Sequence, residues 1–214
     1  MSLLKVPLLL VSSVGVHIAL TSPNPPASSS EVSKVQDRWG KLWIKWGPAS
    51  IKALYWILSL CEVTIICIQS NPSLPYTPHI FAALVHPSTS SSSHSPTITA
   101  PFMAGWALIT SAAVLRLVCY RTLGRFFTFE LSLRDKHKLV TGGPYAWVRH
   151  PSYTGGVLTF AGYLVCVWGP GSWLHECGWL STVRKEDEFL RQEFGVQWDD
   201  WVQRVCYRLV PRIY

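Results

Sequence analysis

Four apolar runs stand out along the chain, at approximately residues 2–20, 50–69, 101–120 and 152–168, separated by polar stretches. A hydrocarbon core of about 30 Å takes roughly 20 helical residues to cross, so each run is a candidate span. The pattern predicts an all-α, polytopic membrane helix bundle of about four spans. The first run, SLLKVPLLLVSSVGVHIAL, has Lys5 ahead of its apolar part, as a signal peptide does. No A-x-A-like cleavage site follows and the next segment is basic, which favours a retained helix. The second run, IKALYWILSLCEVTIICIQ, carries Glu62 well inside it. An acid at that depth is a functional candidate or a structural group bonded to a neighbouring helix, and the structural reading is favoured. Arg116 in the third run is a tempting partner, although it lies near the opposite depth limit.

Loop charges set the expected orientation. Segment 21–49 holds Lys34, Arg38, Lys41 and Lys45, and segment 121–151 holds Arg121, Arg125, Arg134, Lys136, Lys138 and Arg149. Segment 70–100 has no Lys or Arg. The positive-inside rule puts the first two in the cytosol and the third in the lumen, with the Ser-rich STSSSSHSP stretch as a flexible loop. Composition agrees: 49% of residues are hydrophobic and only 14% charged, against about a quarter in soluble domains. The net charge of +7 comes from these short basic loops. Without zinc-finger spacing, an RNP-like stretch or a basic helix, nucleic acid is not an expected partner. Membrane lipids are. The six cysteines form no CxxC pair, so neither a disulfide framework nor a zinc site is indicated. Cys61, Cys67, Cys119 and Cys166 lie in or beside apolar runs, whereas Cys177 and Cys206 lie in polar surroundings. His79, His86 and His94 are too irregularly spaced for a metal site.

Chemistry concentrates in residues 124–155, GRFFTFELSLRDKHKLVTGGPYAWVRHPSYTG. Gly142, Gly143 and Pro144 predict a turn. Arg149, His150 and Pro151 then stand at the mouth of the fourth run, where Pro suits the first helical turn. The free N–H groups and positive dipole end of that helix, with an Arg and a His beside them, make an anion-receptive corner. An interfacial anchor whose Arg and Tyr reach the headgroups is the competing reading. Further on, RKEDEFLRQEFGVQW (184–198) predicts a C-terminal amphipathic helix, with Glu186 and Leu190 on one face and Phe194 a turn beyond.

Taken together, HKLVTGGPYAWVRHPSYTG (137–155), EDEFLRQEFG (186–195) and, more weakly, LVPRIY (209–214) resemble the isoprenylcysteine carboxyl methyltransferase family. That family lies within the membrane methyltransferases that also include phospholipid N-methyltransferases. The resemblance divides the chain into N-terminal membrane helices (1–100) and a methyltransferase-like region (101–214). It implies methyl transfer from S-adenosyl-L-methionine to the C-terminal carboxylate of a prenylated cysteine in CaaX-type proteins, at the cytosolic face of the endoplasmic reticulum. By resemblance, His137, Lys138, Leu139, Val140, Tyr145, His150, Pro151, Ser152 and Tyr153 would line the cofactor site, and Glu186 would hold the cofactor's amino group. Arg149 and Arg184 are candidates for the substrate carboxylate. No metal is implied. A carboxylate is already nucleophilic at pH 7, so positioning rather than a general base is the expected contribution of the protein.

One departure stands against this picture. The family places two spans between its RHP motif and its acidic cluster, but only 28 residues, 156–183, lie between them here. After Trp168 there remain 15 residues, reaching about 22 Å if fully helical. Segment 169–183 is therefore expected either to re-enter and fold back or to mark a missing helix, the favoured account. In addition, Thr182 stands where the family has an Arg before the acidic pair, and the pair is Glu186–Asp187 rather than two glutamates. A phospholipid N-methyltransferase and an inactive membrane scaffold remain the alternatives.

Overall fold

A computed structural model describes residues 2–28, 38–71, 77–85, 95–130, 132, 134–136, 138–177 and 179–207. The described residues are all-helical: α1 (Lys5–Ala19), α2 (Arg38–Ser70), α3 (Thr77–Leu84), α4 (Ala100–Leu123), α5 (Pro151–Trp168), α6 (Trp173–Glu176), α7 (Trp179–Phe194) and α8 (Val196–Arg204). Three segments, Leu42–Ser70, Ala100–Phe126 and Pro151–Glu176, are long and apolar enough to cross a membrane. The fourth expected span falls short, since the 15 residues of α1 extend about 22 Å.

Two expectations about loops change. Residues 38–49 are helical, because a helix nucleated in the apolar run extends at little cost through LWIKW. Pro48 removes one donor without ending it. Within 70–100, α3 packs Phe81 and Leu84 onto Ile65 of α2. Cys177 joins that cluster and is 1% exposed, so its surroundings are apolar, not polar. The Ser-rich stretch, with His86 and His94, lies largely outside the described residues. The expected C-terminal helix is two, α7 and α8, broken at Gly195, whose φ is 49°.

The centre of the bundle is an antiparallel hairpin of α4 and α5. A Cβ on Gly162 would lie 2.6 Å from the Gly105 carbonyl oxygen, and one on Gly105 would lie 2.8 Å from Cys166 Sγ. Backbones that approach this closely gain dispersion contacts, which drive helix pairing in lipid. α1 lies against α4 through Gly15 and Ile109, and the Tyr55 hydroxyl of α2 donates to Ser12 Oγ of α1 at 3.0 Å.

A turn over residues 169–177 closes one end of the bundle, called here the Gly171 end. The Gly171 carbonyl accepts from the Thr97 amide at 3.0 Å, and the Pro170 carbonyl accepts from Thr99 Oγ1 at 2.8 Å. The Trp173 indole donates to the Leu84 carbonyl at 2.9 Å. Beneath the turn Lys5 and Glu62 form a buried ion pair at 2.6 Å. Lys5 also donates to the Gly171 carbonyl at 2.8 Å and lies 4.3 Å from the centre of the Phe102 ring. The other oxygen of Glu62 accepts from the Trp173 amide at 2.9 Å, at the start of α6. Glu62 is thus a structural group, but its partner is Lys5, not Arg116. Two charges in low dielectric are tolerated here because each is paired and further hydrogen-bonded.

Candidate functional site

At the opposite end, called the His150 end, the chain leaves α4 through a 3₁₀ turn, Gly124–Phe126, and returns to α5 through another, Gly143–Ala146. Gly143 has φ 58°, a left-handed conformation that glycine adopts without strain, and a Cβ there would approach Thr122 Oγ1 at 3.2 Å. The turn therefore lies tightly on the last turn of α4. Tyr145 is half-buried within it, and its hydroxyl interacts with the Cys119 thiol. Burial, and then that thiol, push the Tyr145 hydroxyl well above the ordinary tyrosine range. It therefore stays protonated, a neutral hydrogen-bonding group.

His150 occupies the N-cap of α5, its ring exposed and its carbonyl accepting from the Tyr153 amide at 3.0 Å. The His150 and Tyr153 rings stack, 5.4 Å apart and 17° from parallel. Pro151 is buried at the first helical position, and Ser152 is held from below by Arg116. Arg149, adjacent to His150 in the chain, is exposed; Lys138 and Leu139 are exposed as well, and Val140 is half-buried. Next to this corner opens an apolar groove of about 490 Å³, walled by Leu115 and Val118 of α4, Pro144 and Trp147 of the turn, and Pro151 and Thr154 of α5. Trp147 is 91% exposed, so a large ring stands free at the rim.

The arrangement thus offers exposed rings, a helix N-terminus with Arg149 and His150 beside it, and an adjoining apolar groove. An anionic group could rest at the helix end while an apolar chain lies in the groove. The structure brings Tyr145, Arg149, His150, Pro151, Ser152 and Tyr153 to this one end, and Lys138, Leu139 and Val140 lie in the connection between α4 and α5 that leads to it. His137 and the Arg184 side chain lie outside the described residues.

Glu186 is elsewhere. It is exposed on α7, which packs against α6 and α8 and starts directly after the turn at the Gly171 end. The 18 residues of α5 separate the two ends by about 27 Å. From Trp179 to Glu186 α7 rises only about 10 Å, so Glu186 stops roughly 17 Å short of His150 even if α7 folds back along the bundle. Segment 169–177 turns back instead of crossing, and the acidic cluster accordingly leaves from the side of Leu84, Thr97 and Thr99.

The contact between Arg116 and Ser152 is not among the expectations from sequence, which weigh Arg116 only against Glu62. Its signal lay in spacing: Arg116 and Tyr120 stand four apart on one face of α4, and glycines at 155 and 156 leave room opposite.

Comparison with known proteins follows the same stretch. Residues 105–173 match the family model described as the isoprenylcysteine carboxyl methyltransferase (ICMT) family. A protein of Oryza sativa subsp. indica named probable protein-S-isoprenylcysteine O-methyltransferase is 31% identical over 117 residues, covering 47% of this chain and 56% of its own. Protein-S-isoprenylcysteine O-methyltransferase B of Arabidopsis thaliana is 33% identical over 111 residues, 47% of this chain and 55% of that one. The Rattus norvegicus protein-S-isoprenylcysteine O-methyltransferase is 31% identical over 114 residues, 48% of this chain and 38% of its own. The chain spans about half the length of the plant relatives it matches. No solved structure matches.

Proposed function

We propose, from the match of residues 105–173 to the isoprenylcysteine carboxyl methyltransferase family model and the likeness to the named relatives, that this chain takes part in methylating the C-terminal carboxylate of prenylated cysteine in CaaX-type proteins. S-adenosyl-L-methionine is the methyl donor in this proposal, supplying when bound an electrophilic methyl group on a sulfonium. The active face is cytosolic, at the endoplasmic reticulum membrane, on the strength of the basic segment 121–151.

The observation that carries the proposal is the juxtaposition of the His150 corner and the apolar groove. A prenylated cysteine has the same two parts, an anionic carboxylate and a long apolar chain. Arg149 and the α5 N-terminus suit the carboxylate, and the groove between α4 and α5 suits the chain. For the cofactor, Lys138 to Val140, Tyr145 and the stacked His150–Tyr153 pair fit as one wall, with exposed rings and backbone amides. Glu186, the group for the cofactor's amino end, does not complete that wall in this chain. His137 and Arg184 are assigned to cofactor and substrate by family resemblance alone. The protein's own contribution is to align the acceptor oxygen and keep water from it. With one wall incomplete, we expect weak turnover, since about 1 Å of misplacement can cost 10²-fold.

The test is transfer of labelled methyl groups in membranes holding the full chain, to a farnesylcysteine analogue and to phosphatidylethanolamine. Label in the farnesylcysteine product, even at a low rate, supports the proposal. Label in lipid alone favours the phospholipid N-methyltransferase, and label in neither, also after a helix of roughly 20 apolar residues is inserted before Arg184, favours the scaffold.

A further inference from the structure

Arg116 lies on the inner face of α4 and is 6% exposed, yet among the described residues no carboxylate is within ion-pairing distance of it. Its Nε donates to the Tyr120 hydroxyl at 3.0 Å. One terminal nitrogen donates to the Ser152 carbonyl at 2.8 Å and to Ser152 Oγ at 3.1 Å. The rings of Tyr120, Phe127 and Phe129 surround the guanidinium, with centres at 5.5, 5.9 and 5.0 Å. Tyr120 is itself anchored, its hydroxyl reaching the carbonyls of Ile18 at 3.2 Å and Ala19 at 3.0 Å at the end of α1. Gly155 clears the path, since a Cβ there would lie 2.7 Å from Arg116 Cγ.

We propose that Arg116 is a positioning residue, which fixes the first turn of α5 against α1 and α4 and thereby sets His150 and Tyr153 for ligand. The inference rests on reading that turn as the cofactor wall. Electrostatics separates it from simple packing. A helix N-terminus carries partial positive charge, so a cation beneath the first turn of α5 is the wrong sign for a structural tie. A neutral Gln could donate to the same Ser152 carbonyl with less repulsion. The cation instead adds to the positive potential at the mouth of α5, where an anionic ligand group would offset it.

The test uses the full chain in lipid nanodiscs, with Arg116→Lys, Arg116→Met and Tyr120→Phe. Three quantities are read: hydrogen exchange of the amides of residues 152–156, equilibrium binding of labelled S-adenosylmethionine, and the thermal midpoint. Arg116→Met should speed exchange at the turn and weaken binding by about tenfold, the size expected for a hydrogen bond to a charged group. Arg116→Lys should recover most of the binding. Tyr120→Phe, which only loosens the anchor, should fall between them at a nearly unchanged midpoint, and it carries the comparison should Arg116→Met not fold. Unchanged exchange at 152–156 in both Arg116→Met and Tyr120→Phe overturns the positioning role, whatever the cofactor does. Equal binding by Arg116→Met and Arg116→Lys overturns the part played by charge. A wild-type chain that binds no S-adenosylmethionine, with exchange responding as expected, overturns the cofactor reading and leaves the tie itself supported.

Discussion

Replacing Lys5 by Met would remove a cation that water does not reach: Lys5 is 0% exposed and its partner Glu62 is 5% exposed. Glu62 would retain the Trp173 amide as a donor, but its charge would stand unpaired in low dielectric. Removing one side of a buried pair costs about 3–5 kcal/mol. At roughly 2–4 °C per kcal/mol for a chain of this size, Lys5→Met should melt about 10 °C below wild type. Glu62→Leu should cost less, because Lys5 keeps the Gly171 carbonyl and the Phe102 ring. The double variant removes both charges and strands only the Trp173 amide, at about 1–3 kcal/mol, so much of the lost stability should return. Tryptophan fluorescence during thermal unfolding in nanodiscs measures all four proteins in one double-mutant cycle. A Lys5→Met midpoint equal to wild type, or strictly additive losses in the double variant, would refute the claim that this pair clasps the turn at 169–177.

Two further predictions test the packing around that clasp. Gly162→Val should cost at least about 1–3 kcal/mol, because its Cβ meets the Gly105 carbonyl at 2.6 Å, whereas Gly156→Ala, with nothing nearer than 3.8 Å, should stay near wild type in the same melting assay. A thiol reagent should label Cys206, which is exposed, well before Cys177, and mass spectrometry of timed samples would show the order.

How much of this was legible beforehand differs from element to element. α4 and α5 were readable because a long apolar run bounded by Thr99 or His150–Pro151 has few alternatives in lipid. The corner at Arg149, His150 and Pro151 followed from the same punctuation. Hydropathy alone could not find α3, which depends on what packs beside it, or the extension of α2 through 38–49, which is propagated from the apolar run. Nor could it find the partner of Glu62. Lys5 lies 57 positions away, and only the register of α1 against α2 brings the two together. Cys177 looked polar because Glu176 and His175 precede it, but the turn rotates its thiol into the Ile65 cluster. The place of Glu186 was contested within the sequence itself. Family resemblance called for the His150 end, while the length of 169–183 forbade a crossing. In the structure, length prevails: a segment that cannot span folds back, whatever follows it.

The separation of Glu186 from the His150 end is measured most directly by sidedness. Single cysteines replace Arg149 or Glu186 in an otherwise cysteine-free chain in sealed microsomes, and a membrane-impermeant maleimide is added before and after the vesicles are opened. One position should be labelled at once and the other only after opening, because the two lie at opposite ends of the bundle. Labelling of both from the same side would contradict this separation, and would mean that Glu186 reaches the face of His150 after all.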